Sequence, residues 1–188
     1  MMALIVSQAK VLAMNEIERF VSLFGQQVTL SLNVLEQIPE ELWTAIPADS
    51  DTNYLGQRIK RINIEALVGH LMRAEDFWAR TLSQIQPNEE MVPPVGVPML
   101  DLASTGMPLV NQYRHVLENN LNRIRAMSPQ QLSTVFTFIG RTFTLQGFLW
   151  AIYAHHSYHF GQIDLLLRQQ SYLPPEFLEL PNRDQLIA

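Results

Sequence analysis

Apolar residues recur at helical spacing in four long stretches of the chain, and proline-rich or polar segments separate them. The first stretch runs from about residue 7 to about residue 37, with Ile17, Phe20, Val21, Phe24, Val28, Leu32 and Leu35 on one face. Pro39 closes it, and "PEELWTAI" reads as a short extra helical turn before the polar linker "PADSDTNYLGQRIKR". Asn63 is the expected N-cap of a second helix, whose stripe is Ile64, Leu67, Leu71, Ala74 and Trp78. The prolines of "QPNEEMVPPVGVPM" then forbid continuous helix. A third helix is expected over about residues 100–126, and "SPQQL" opens a short turn after it.

One stretch has a different period. "STVFTFIGRTFTL" alternates around Gly140 and Arg141, which predicts a small two-stranded hairpin. Thr144 caps the fourth helix, expected from residue 145 to about 170, and "LPPEFLELP" breaks it into a tail. Four such helices with one minor hairpin predict an all-α chain: a four-helix bundle, one domain over residues 1–188, the hairpin packed on the helices before the last of them. The connection after the second helix is roughly 15 residues, long enough at about 3.3 Å per residue to run the length of a bundle. Helices two and three are therefore free to be parallel.

Composition narrows the chemistry. Charged residues make up 16% of the 188 residues and the formal net charge is -5, with no basic block to track a nucleic-acid backbone. Cysteine is absent, so any metal must rest on His, Asp, Glu or water, and any reacting thiol must arrive with a cofactor or substrate. The apolar run at the N-terminus meets Lys10 too early for a signal peptide, and no stretch of about 18 apolar residues occurs. A soluble, cytoplasmic protein that engages neither membrane nor nucleic acid is expected.

Candidate chemistry concentrates in "HHSYHFGQ", residues 155–162. His155, His156 and His159 all lie within about 70° of the centre of the apolar arc drawn by Phe148, Leu149, Ile152, Ile163, Leu166 and Leu167. His155 and His159, one turn apart, can reach one divalent ion; His156 and His159 are the competing pair. A third ligand from a facing helix is needed, and His70 is the candidate, preceded by Gly69, whose small size suits close approach or a ligand. The alternative is a cluster of hydrogen-bonded core histidines. His115 is expected at the surface. Gln162 is placed to orient a ligand, or is simply a surface glutamine. Glu75 and Asp76 are expected on a solvated helix face, with a role as base or orienter as the rarer use. Tyr158 and Trp78 read as packing residues, and Gly161 as a site of close helix packing.

"GHLMRAEDFW" together with "HHSYHFGQIDLLLR" resembles the DinB-like family of metal-binding four-helix proteins, as does the threonine-rich lead "FTFIGRTFTLQGFLW". The family's marks are one histidine on the second helix and His-x-x-x-His-x-Gly-Gln on the last, here His70, His155 and His159 with Gly161 and Gln162. The resemblance implies an up-down-down-up bundle in which those three histidines bind a divalent metal, commonly zinc or nickel, and His156 does not. It also implies a homodimer, and in some members a transferase or isomerase using a low-molecular-weight thiol. The expectation is thus a metal-dependent thiol S-transferase or related hydrolase acting on a small electrophile. The alternative is a non-catalytic, metal-binding or structural dimeric bundle with a stress-associated role.

Overall fold

The computed structural model describes residues 14–46, 62–93 and 100–175. Helix α1, Glu16–Leu35, starts where Asn15 turns the chain out of extended backbone. The Asn15 side chain accepts from the Glu18 N–H at 3.0 Å, and Glu18 reaches back to the Asn15 N–H at 3.1 Å. This reciprocal cap satisfies two otherwise orphaned donors. The helix was expected to begin near residue 7; it begins at Glu16, and residues 7–13 lie outside the described residues. All seven residues of its expected stripe are buried.

A 3₁₀ turn, Glu40–Leu42, follows Pro39 and leads to Trp43, which is 1% exposed. The Trp43 carbonyl accepts from the Glu65 N–H at 3.0 Å, tying the start of the next helix to this buried anchor. Helix α2, Ile64–Leu82, is capped by the Asn63 side chain, which accepts from the Ala66 N–H at 2.8 Å. Helix α3, Met107–Arg125, starts later than the expected residue 100. Gly106, at φ 77°, turns the chain just before it, and Pro108 occupies its first turn, where a missing N–H costs nothing. Residues 101–103 are instead held by Gln112, which donates to the Asp101 carbonyl and accepts from the Ala103 N–H.

The β structure is larger than the expected two strands. Strands β2, Val135–Phe138, and β3, Arg141–Thr144, pair antiparallel, with Phe136 opposite Phe143 and Phe138 opposite Arg141. Strand β1, Glu90–Met91, adds to β2 in parallel. Two residues show no period, so nothing in the sequence announces β1. The turn joining β2 to β3 places Ile139 at φ 49° and Gly140 at φ 68°. That pair of left-handed residues matches the twist of a two-residue hairpin, at a cost for the β-branched Ile139.

Helix α4, Leu145–Gln169, follows β3 directly, with the Thr144 side chain accepting from the Gly147 N–H at 3.1 Å. Helices α1 and α2 each pack against both α3 and α4, so α1 and α2 sit across the bundle from one another. Phe136 of β2 is fully buried and lies 5.3 Å, ring to ring, from Phe148, fastening the sheet to the start of α4. No helix among the described residues is long and apolar enough to cross a membrane. The segments expected as the linker over residues 47–61 and as the tail beyond 175 lie outside the described residues.

Candidate metal centre

The stripe of α2 turns His70 toward α4, and one turn of α4 turns His155 and His159 back toward it. The three offer ligand nitrogens that all lie within 4.8 Å of one another. His70 Nε2 and His155 Nε2 are 3.2 Å apart, and the His70–His159 and His155–His159 ring centroids are 4.8 and 4.5 Å apart. Tetrahedral bonds of about 2.1 Å to zinc place neighbouring nitrogens roughly 3.4 Å apart. The observed spacing therefore fits one ion, and this group can hold a metal. His159 is 2% exposed, while His70 and His155 are half-buried.

Gln162 is more than a surface residue. Its Oε1 lies 2.7 Å from His159 Nδ1 and accepts that nitrogen's proton, which leaves Nε2 as the lone-pair nitrogen of the ring. The Trp78 ring stands edge-on to His155, with centroids 4.7 Å apart, and also meets Phe138 and Phe148, so it packs as expected.

His156 takes no part in the cluster. It is fully buried, with Nδ1 2.8 Å from Glu75 Oε1 and Nε2 2.8 Å from Ser31 Oγ. The Tyr113 hydroxyl donates to Glu75 Oε2 at 2.7 Å and lies 3.1 Å from His156 Nδ1. Four side chains, one from each helix, thus satisfy one another in the middle of the bundle. Burial first, and then the Glu75 carboxylate beside it, push the Tyr113 hydroxyl well above its ordinary pKa. Ser31 has no exposed surface, so this Ser–His–Glu line has no access for a substrate.

Several expectations are corrected here. Glu75 and Asp76 are not on a solvated face: they are 3% and 7% exposed. Asp76 pairs with Arg80 at 2.5 Å and lies 3.6 Å from Arg123. The signal was available, because Glu75 stands four residues after Leu71 and eight after Leu67, in line with the apolar stripe. Ser31 and Tyr113 likewise interrupt or extend apolar stripes on α1 and α3. Gly161 is exposed, and a Cβ there would meet nothing within 4 Å, so it mediates no close packing. Tyr158 is 61% exposed rather than packed in the core. At Gly69 the close neighbour is a side chain: a Cβ would come within 2.6 Å of Leu102 Cδ1. His115 is exposed, as expected.

A cleft of about 1070 Å³ opens beside the cluster, with His70 and His155 in its wall. Phe77, Trp78, Phe138, Phe143 and Phe148 give it an aromatic side, and Arg73 and Arg141 line it as well. Neither arginine was singled out by the sequence pattern, since only folding brings the hairpin tip to α2.

Fold and site together define a four-helix bundle with a histidine triad open to a cleft. The model of the DinB superfamily matches residues 24–163, and the chain belongs to that superfamily. No curated protein matches it.

Proposed function

We propose that this chain is a divalent-metal-dependent enzyme of the DinB type, a thiol-dependent S-transferase or related hydrolase acting on a small electrophile. The observation that carries this reading is that two members of the His70–His155–His159 group line a cleft of small-molecule size. A divalent ion such as zinc or nickel, held there by three neutral imidazoles, supplies Lewis acidity and eases loss of a thiol's proton. His70, His155 and His159 are the residues that hold it, Gln162 keeps His159 in the right tautomer, and the aromatic wall excludes water from an apolar substrate.

The chain contains no cysteine, so the sulfur comes from a low-molecular-weight thiol, which the cytoplasm keeps reduced. The bundle takes the up-down-down-up arrangement, in which the long connection after α2 makes α2 and α3 parallel. The partner is a second copy of the chain; Tyr158 and Leu165, 61% and 56% exposed on the outer face of α4, support that assignment. Neither membrane nor nucleic acid is a partner.

One observation favours the non-catalytic alternative, a metal-binding dimeric bundle with a stress-associated role. Among the described residues the carboxylate lining the cleft is Glu65, five residues before His70, which is about 7.5 Å of helix rise and puts no base of the described residues beside the cluster along this wall. A nucleophile delivered as an acidified thiol needs none, which keeps the enzyme reading ahead. Turnover of a panel of small electrophiles with and without added thiol decides between them. The enzyme reading expects thiol- and metal-dependent turnover that His159→Ala abolishes. Unchanged turnover in that variant defeats it. A melting temperature lowered by chelator, with no turnover under any condition, supports the structural reading.

A further inference from the structure

We propose that the cleft is built for an anionic ligand, a small molecule carrying a carboxylate or similar oxyanion on an apolar body. Arg73 grips the anion and Arg141 stands at the mouth. This names the substrate class of the enzyme proposed above and rests on that reading for its catalytic meaning.

Among the described residues the arginines fall into three groups, and Arg125, exposed and bonded to Asn122, is neither ion-paired nor in the cleft. Arg19, Arg80, Arg114, Arg123 and Arg168 each have a carboxylate partner within the ion-pair range. Arg73 and Arg141 have none among the described residues, and both face the cleft. Arg73 is half-buried, and its Nε donates to the Leu100 carbonyl at 3.2 Å. That bond orients the guanidinium and leaves its terminal nitrogens for another acceptor. A cation that has given up part of its hydration among aromatic rings gains most from an oxyanion, which the planar fork can hold through two bonds.

Position adds to charge. Arg73 lies three residues after His70, on the same face of α2, so an anion on Arg73 sits about one turn from the histidine cluster. Among the described residues the other charged side chain of the lining is Glu65, eight residues or about 12 Å of rise from Arg73, with no ion pair to it. The two arginines therefore outweigh it, and the histidines add no negative charge. Beyond Arg73 the wall is apolar: Trp78, Phe138 and Phe148 meet edge to face at centroid distances of 5.3 to 6.2 Å. The hairpin tip contributes to the same wall through Ile139, which is 60% exposed and held in the left-handed region at φ 49°.

The test compares 2-naphthaleneacetate with its neutral amide by calorimetric titration of chelator-treated and zinc-treated protein. The acid is expected to bind at least tenfold more tightly than the amide in both preparations. Arg73→Gln should erase the preference, Arg73→Lys should keep part of it, and Arg141→Gln should weaken it a few-fold. Arg125→Gln, at an exposed position bonded to Asn122, should leave it unchanged. Equal binding of acid and amide, binding of neither, or a preference that survives Arg73→Gln overturns the proposal. So does a preference seen only with zinc, because the anion would then be meeting the metal. Discrimination in the chelated protein is independent of turnover, so a failure of the enzyme reading leaves this result standing, and the converse holds as well.

Discussion

Replacing His156 by alanine should cost the fold heavily and the histidine cluster almost nothing. The imidazole is fully buried and its two nitrogens meet Glu75 and Ser31, each at 2.8 Å. Truncation leaves the Glu75 carboxylate, 3% exposed, with the Tyr113 hydroxyl as its remaining partner in this network, and opens a void the size of the ring. A buried polar group left short of a hydrogen-bond partner costs about 1–3 kcal/mol, more for a carboxylate, and the void adds to that loss. A domain of this kind is stable by roughly 5–15 kcal/mol, so the variant stays folded but loses a large share of its margin. Urea titration followed by circular dichroism measures the loss. The double variant His156→Leu/Glu75→Leu should be far less damaged than the two single changes added together, by about 1–3 kcal/mol, because it removes both polar groups at once. A loss below about 1 kcal/mol for His156→Ala, or strict additivity in the double variant, refutes the view that this network is a satisfied structural unit.

Three further outcomes are expected. Because the Tyr113 pKa is raised in the folded state, the native protein holds this proton more tightly than the unfolded chain. Its contribution is complete below the ordinary tyrosine range and is lost as pH rises above about 10, and Tyr113→Phe should flatten that alkaline loss in denaturation curves taken across the range. Gln162→Leu should weaken metal affinity by about 10- to 100-fold in competition with a chromogenic chelator, with the fold intact. Ile139→Gly should relieve about 1–2 kcal/mol of left-handed strain and raise Tm by a few degrees in a thermal melt; an unchanged or lower Tm contradicts the strain argument.

The helices were legible in the sequence because burial imposes a period: the Ile17-to-Leu35 and Phe148-to-Leu167 stripes are buried throughout as spaced. Asn63 and Thr144 were legible as caps because a short oxygen side chain before an apolar run has one local use. The histidine cluster was legible in part, since an i, i+4 pair on an apolar face restricts where two imidazoles can point. Its separation from His156 came from the family resemblance, and the fold supplies the physical account: Glu75, Ser31 and Tyr113 claim the His156 ring. Glu75 and Asp76 carry the charge of a solvated face, but position overrides residue type, because Glu75 falls in line with Leu67 and Leu71 and is buried with them. Arg73 and Arg141 were invisible, because the cleft that gives them meaning forms between a helix and a hairpin tip far apart in the chain.

The most direct test of the central claim is metal content per chain, measured by elemental analysis of protein free of any histidine tag, for the wild type and for His155→Ala and His156→Ala. A metal-binding cluster of His70, His155 and His159 predicts close to one divalent ion per chain in the wild type, lost in His155→Ala and retained in His156→Ala. No metal in the wild type, and none taken up from added zinc or nickel, would contradict it and leave the three histidines as core residues.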